Sequence, residues 1–227
     1  MEFLNNMIDI LRNSYPALQI GVVTMLRIFF IAVSLGFLLG VVIAIMRISN
    51  NIIIKGVAAT FVNIMRGTPF ILQLMFIYTA LGLIVAGIDV LNGLDTRELS
   101  GILTIMLNAG AYFSEIVRGG INSVSRGQSE AARSLGFNRI QTMFIVILPQ
   151  ALRNMFPAIA NQSIISLKDT SLLTTIGIGE LMYQGTLISA ANFKILETLS
   201  ILGIIYLIII YTLTMIFNYI EKKVRIP

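Results

Sequence analysis

An all-α integral membrane fold is what this 227-residue sequence predicts, and three observations carry the expectation. Hydrophobic residues make up 56% of the chain and charged ones only 12%, against roughly 45 to 50% and 25% in globular proteins. Mean hydropathy is +0.88. The apolar residues are gathered into runs near the ~20 residues that a helical span requires, separated by short polar or proline-bearing breaks.

The first run, residues 28–46, carries no charge and is bracketed by Arg27 and Arg47, whose heads are placed to snorkel to opposite interfaces. Upstream, Ser14 and Pro16 read as an N-cap and an early helical proline, so the first helix is expected to start near Pro16. A second run at 70–88 follows a shorter apolar stretch at 57–65. The string RGTP between them, 66–69, is expected to bend the helix, because proline removes a donor and clashes with the preceding turn. With three further runs, the chain reads as one membrane domain, 1–227, of five spans at about 16–48, 57–88, 99–118, 144–168 and 197–220.

Five spans put the termini on opposite sides. With the C-terminus cytoplasmic, the inside segments hold Arg47, Lys55, Arg118, Arg126, Arg133, Arg139, Arg153, Lys222, Lys223 and Arg225. The outside then holds Arg12, Arg97 and Lys194, together with the acidic loop of Asp89, Asp95 and Glu98. That asymmetry follows the positive-inside rule and predicts an external N-terminus. The net charge of +5 is thereby assigned to membrane orientation and not to a nucleic-acid partner. The first residues are acidic, with no short apolar run leading to a cleavage-type motif, so no classical signal peptide is expected.

Several chemistries are excluded. The sequence contains neither cysteine nor histidine, which removes disulfide scaffolds, thiolate nucleophiles, Cys/His zinc sites and imidazole-based catalysis. No GxxxxGK-S/T phosphate loop occurs. A working protein of this composition takes its energy from elsewhere.

The stretch SEAARSLGFNRIQTMFIVILPQ, 129–150, interrupts the apolar pattern within the longest internal loop, 119–143. Ser125 with Gln128 reads as a capping box, Gly136 as a helix stop, and Asn138 with Gln141 as the start of a second helix. The result is a helical elbow offering Ala131, Ala132 and Leu135 as a small apolar face beside Glu130 and Arg133. Periodicity alone suits equally an amphipathic loop resting on headgroups.

The residues themselves go further. Glu130-Ala131-Ala132, Gly136 and Leu148-Pro149 resemble the EAA loop of ABC importer permeases, with Val146 where that pattern usually has Ile. The strings RGTPFILQL (66–74), AYFSEIVRGGI (111–121) and LKDTSL (167–172) are similar to those of the polar amino acid subfamily, over about residues 17–219. The resemblance implies a type I ABC importer transmembrane domain in a bacterial cytoplasmic membrane. It implies an ATPase subunit dimer docked on Glu130, Ala131, Ala132, Arg133, Leu135 and Gly136, a second permease subunit, identical or paralogous, and an external substrate-binding protein. The chain itself is then non-catalytic and binds no cofactor; ATP and Mg are used by the partner ATPase.

Polar residues inside spans mark pathways or interhelical contacts. At ~100° per residue, Asn154, Asn161, Gln162, Lys168 and Asp169 fall within roughly a 120° sector of the fourth span, with Ser163 pointing away. For a zwitterionic amino acid, Asp169 suits the ammonium, Lys168 the carboxylate and Gln162 the side chain. The alternative is that Lys168 and Asp169 neutralise partners on neighbouring helices. Since permeases for cationic amino acids tend to have Glu at the place of Gln162, the resemblance favours glutamine, cystine or a similar polar cargo. Asn108 either lines the pocket or makes an interhelical hydrogen bond, and Tyr112 either lines the pathway or sits in the interfacial belt. Glu115 and Arg118, three apart, read as a local ion pair, and Arg66, Thr68 and Pro69 as shaping a bent helix. The rival class is a small secondary amino acid carrier or channel, which requires ion-coupling acids in the spans; Glu115 and Asp169 are the candidates.

Overall fold

The computed structural model describes residues 1–88 and 95–225, the side chains of 224 and 225 excepted. Asp89 of the acidic loop lies outside the described residues. The described chain is helical, running α1 (Glu2–Ile48), α2 (Ile52–Gly67), α3 (Phe70–Ala86), α4 (Thr96–Asn122), α5 (Arg126–Ser134), α6 (Arg139–Gln141), α7 (Leu148–Asp169), α8 (Leu181–Asn192) and α9 (Ile195–Arg225). A π-helical turn, Thr142–Ile147, joins α6 to α7, and a 3-10 segment, Thr170–Ile176, follows α7. Four helical stretches are long and apolar enough to cross a membrane: α1, α4, the continuous run from Arg139 to Ile176, and α9. The α2–α3 pair, bent by 111°, makes a fifth when counted as one span.

The bend falls at the RGTP string. Thr68 and Pro69 are extended, with ψ of 148° and 138°. The residue before a proline is pushed out of the helical region, so α2 has to stop there. Thr68 Oγ1 turns back to donate to the Ile64 carbonyl at 2.8 Å, satisfying one acceptor that the break exposes. The π turn has a similar origin: Pro149 has no N–H and its ring crowds the preceding turn, and the Leu148 N–H bonds back five residues to the Met143 carbonyl.

Proline does not set the start of α1. The helix begins at Glu2 and continues through Pro16 without a break, so the start expected near Pro16 is corrected. Tertiary packing holds the early turns: Ile10 and Leu18 are buried in one cluster with Leu181, Ile188, Ile201 and Leu202. Asn6 bridges to the start of α9, accepting from Lys194 Nζ at 2.7 Å and donating to Glu197 at 3.2 Å. At 1.5 Å per residue α1 is about 70 Å long, more than twice a ~30 Å hydrocarbon core.

α1 and α4 form the central pair and run parallel, their contacts advancing together along both helices. Gly36 and Gly40 of α1 lie directly against the backbone of Met106 and Gly110, the close approach that small residues permit. Arg27 and Arg47, expected to snorkel, are instead paired across this seam. Arg27 meets Glu98 at 2.7 Å near the start of α4, and Arg47 meets Glu115 near its other end. Asp95 caps α4 by accepting the Arg97 N–H at 2.9 Å; side-chain hydrogen bonding from Arg97 also holds its carboxyl below the usual range. α9 and the outer face of α1 leave Leu38, Val42, Leu207 and Ile208 more than half exposed, surface suited to lipid or a second subunit.

Candidate functional site

The elbow forms, by a different route at its start. Ser125 occupies the N-cap position of α5 but its side chain makes no capping bond, so the expected capping box is absent. Gln128 is engaged elsewhere: its carbonyl oxygen accepts from Gln150 Nε2 at 3.3 Å, while Gln150 also donates to the Val146 carbonyl at 2.9 Å. This pair ties α5 to the root of α7. The far end of α5 closes as a Schellman motif, in which the Gly136 N–H reaches the Arg133 carbonyl at 2.9 Å and the Phe137 N–H the Ala132 carbonyl at 3.1 Å. Gly136 takes φ +89°, the left-handed conformation that glycine adopts without steric cost. The next cap is the expected box: Asn138 accepts from Gln141 N–H at 2.9 Å and Gln141 accepts from Asn138 N–H at 3.0 Å.

The outward side of this elbow carries Glu130, Ala131, Arg133 and Gly136, all exposed, and Leu135 at 78% exposure. Glu130 makes no ion pair among the described residues. Ala132 was expected on the same face; it is 3% exposed and packs inward, so it supports the elbow from beneath.

Within the bundle, Asn108 makes the interhelical hydrogen bond. Its Nδ2 donates to Gln73 Oε1 at 2.9 Å, and Gln73 Nε2 donates to the Met65 carbonyl and to Thr68 Oγ1, each at 2.8 Å. The pair therefore fastens α4 to the α2–α3 bend and satisfies carbonyls that the break leaves open. Both side chains are buried, and removing one strands the other. Asn108→Leu and Gln73→Leu should each cost about 1 to 3 kcal/mol, with the double variant costing less than the sum. Thermal unfolding of the detergent-solubilised chain measures this, and strict additivity would show that the amides do not act together.

Tyr112, one turn along, is half-buried, with the Arg66 guanidinium 5.3 Å from its ring centroid. Glu115 serves more than the expected local pair. Its carboxylate receives Arg118 at 2.7 Å and Arg47, with Arg66 at 3.9 Å, so α1, α2 and α4 converge on one acid.

The polar sector of α7 divides. Asn154, Asn161 and Lys168, each seven residues apart, are exposed along one stripe. Gln162 is 5% exposed beside Ser166, which accepts its amide at 3.4 Å, and Ser163 is buried as well. Asp169 is half-buried. Neither Lys168 nor Asp169 forms an ion pair among the described residues, so neighbouring helices of this chain do not neutralise them.

Sequence reasoning missed Gln73 and Glu180. Glu180 is fully buried and caps α8, accepting the Met182 and Tyr183 N–H groups at 2.9 and 2.8 Å and the Tyr206 hydroxyl at 3.2 Å. An acidic residue after Gly177 and Gly179 and before an apolar run was the available signal, weakened because Glu is not among the favoured N-caps. Among the described residues no group of three or more acidic, His or Cys side chains is placed to hold a metal ion.

A polytopic bundle with one broken span, a polar stripe on one helix and a projecting helical elbow defines the membrane subunit of a multi-component transporter. The chain belongs to the family of binding-protein-dependent transport system inner membrane components, whose pattern matches residues 36–226. It is 41% identical over 192 residues to the glutamine transport system permease protein of Escherichia coli, covering 84% of this chain and 85% of that one. It is 34% identical over 211 residues to the arginine transport system permease protein of Bacillus subtilis, covering 92% and 93%. A solved amino acid ABC transporter matches with a TM-score of 0.85 at 33% identity, over 94% of this chain and 96% of that one. The fold is thus that of a type I ABC importer permease.

Proposed function

We propose that this chain is a pore-forming permease subunit of an ATP-driven, binding-protein-dependent importer that moves a polar amino acid across the bacterial cytoplasmic membrane. The observation that carries the reading is the likeness, over nearly the whole chain, to an amino acid ABC transporter. The permease is non-catalytic, and ATP with Mg is used by a separate ATPase subunit. Two permease subunits form the pathway, and an external binding protein delivers the substrate.

The orientation is N-terminus outside and C-terminus inside, which brings the elbow and most of the arginines to the cytoplasm. Glu130, Ala131, Arg133, Leu135 and Gly136 then form the docking face, with Ala132 beneath them. ATP binding draws the two elbows of the pair together and shifts the bundle between two packings, opening the pathway to one side and then the other.

The pathway runs along the exposed stripe of α7. Asn161, Lys168 and Asp169 are available to a zwitterion there, while on α4 Asn108 braces the α2–α3 bend and Tyr112 stands beside Arg66. Gln162 lies just behind the stripe and reads the cargo through the local packing; an amide there favours glutamine, cystine or a similar neutral polar cargo. Gln162→Glu is expected to raise uptake of cationic amino acids relative to neutral ones in reconstituted vesicles. An unchanged substrate profile would remove Gln162 from the specificity pocket.

The whole reading is tested by solubilising the native membrane gently, recovering the chain, and identifying by mass what accompanies it while assaying ATP hydrolysis. A co-purifying ATPase is expected. A chain that purifies alone without nucleotide-dependent activity would favour a secondary carrier and make Asp169 the residue to examine.

A further inference from the structure

Where α1 ends, α2 begins and α4 ends, the chain forms an open-sided, mainly polar cavity of about 340 Å³ lined by Arg47, Ile48, Asn50, Lys55, Arg118 and Asn122 among others. Its charge is unbalanced. Arg47, Lys55, Arg66 and Arg118 gather in this corner, and among the described ion pairs the carboxylate that meets them is Glu115, so four positive charges face one negative. Lys55 makes no ion pair among the described residues and is exposed. Like charges held together cost free energy unless an anion joins them.

The rim says which kind of anion. On the flank of α2 that carries Lys55, Ile52 stands one turn back and is 83% exposed, and Ile48, which itself lines the cavity, is 43% exposed. A soluble phosphate needs none of this apolar surface and would leave it wet. An amphiphile covers both parts, its phosphate in the cationic cavity and its hydrocarbon against the isoleucines. Basic pockets between spans on the cytoplasmic side are suited to anionic lipid headgroups, each cation near the surface contributing substantially. Gly56, with nothing within 4 Å of where a Cβ would stand, leaves this flank of α2 open for a chain to lie along it.

We propose that this corner is a binding site for the phosphate group of an anionic phospholipid of the inner leaflet, seated by Arg47, Lys55 and Arg118 with its acyl chains against Ile48 and Ile52. The leaflet, though not the site, rests on the orientation given above. The lipid clamps the α1–α2 turn to the end of α4, the helix that leads into the elbow.

The test uses the full chain in phosphatidylcholine vesicles containing a trace of photoactivatable phosphatidylglycerol, with labelled peptides mapped by mass. Labelling is expected on the segment 48–59, displaced by excess phosphatidylglycerol but not by excess phosphatidylcholine. Lys55→Gln should cut that labelling about fivefold, while Arg153→Gln, which removes an exposed charge elsewhere, leaves it unchanged. Equal loss in both variants, or none in either, overturns the proposal in favour of diffuse charge attraction or of no site. Displacement by millimolar inorganic phosphate at matched ionic strength overturns it in favour of a soluble anion. Because the sequence has no cysteine, Asn50→Cys gives a unique label for sidedness. Reaction with an impermeant maleimide in intact cells would overturn the inner-leaflet assignment through the orientation, a failure that the lipid preference measured in vesicles does not share.

Discussion

Glu130→Lys and Gly136→Asp are each expected to lower recovery of an ATPase subunit with this chain at least tenfold, while the permease still inserts and keeps its helical content. The two act by different physics. Glu130 is exposed and forms no ion pair among the described residues, so reversing its charge leaves the chain's own packing alone and changes only what a docking partner meets; a tenfold loss corresponds to about 1.4 kcal/mol of association, modest for a desolvated charge at an interface. Gly136 has φ +89° with open space around its Cβ position. Aspartate there meets no clash but carries the cost of a left-handed conformation, about 1 to 2 kcal/mol. That cost falls on the Schellman closure, which fixes the angle between α5 and the segment starting at Asn138. The partner therefore meets a correctly made helix aimed wrongly. Gly136→Asn, which tolerates the left-handed region better, should recover much of the association. Recovery of both damaging variants at the wild-type level, measured by quantitative mass spectrometry of the pull-down, would remove the elbow from the coupling role.

What the sequence made legible was local. Gly136 and the Asn138–Gln141 box follow from backbone rules that act within five residues, and both stand in the structure. The RGTP break follows from the exclusion of the helical region before proline, and the chain turns by 111° there. What failed needed partners far along the chain. Pro16 reads as a boundary until Ile10 and Leu18 are seen packed among residues of α8 and α9. Ser125 and Gln128 read as a box until Gln150, 22 residues on, takes the amide. Arg27 and Arg47 look like free interfacial anchors because Glu98 and Glu115 lie 71 and 68 residues away. The polar sector of α7 was a sound angular estimate for Asn154, Asn161 and Lys168. It misplaced Gln162 because a sector wider than the open face includes residues on its packed edge.

Gly40→Leu is expected to be the most damaging single substitution in the bundle, and Gly56→Leu nearly silent, although both place the same side chain at a helical glycine. A Cβ at Gly40 would stand 2.6 Å from Phe113 Cβ, 2.9 Å from the Gly110 carbonyl oxygen and 3.1 Å from the Ser114 nitrogen. Two of those atoms are backbone of α4 and cannot rotate away. The seam cannot relieve the clash by sliding, because Arg27–Glu98 near one end and Arg47–Glu115 near the other fix the register of the two helices. Gly36, one turn earlier, has the Met106 carbonyl oxygen 3.0 Å from its Cβ position and bars a tilt toward that side. The remaining response is separation of α1 from α4 along most of their contact, a loss of about 3 kcal/mol or more, at the upper end of overpacking costs. Gly40→Ala should fall between, since it meets the same atoms with one carbon. At Gly56 a side chain meets nothing within 4 Å, and its effect should lie within about 0.5 kcal/mol. Thermal unfolding of the solubilised chain orders the three variants. Because α4 also carries Asn108, Tyr112 and Glu115 and runs into the elbow, Gly40→Leu protein that does fold should lose transport before it loses insertion. Equal melting temperatures for Gly40→Leu and Gly56→Leu would mean that the α1–α4 seam is not the packed contact on which the position of those residues depends.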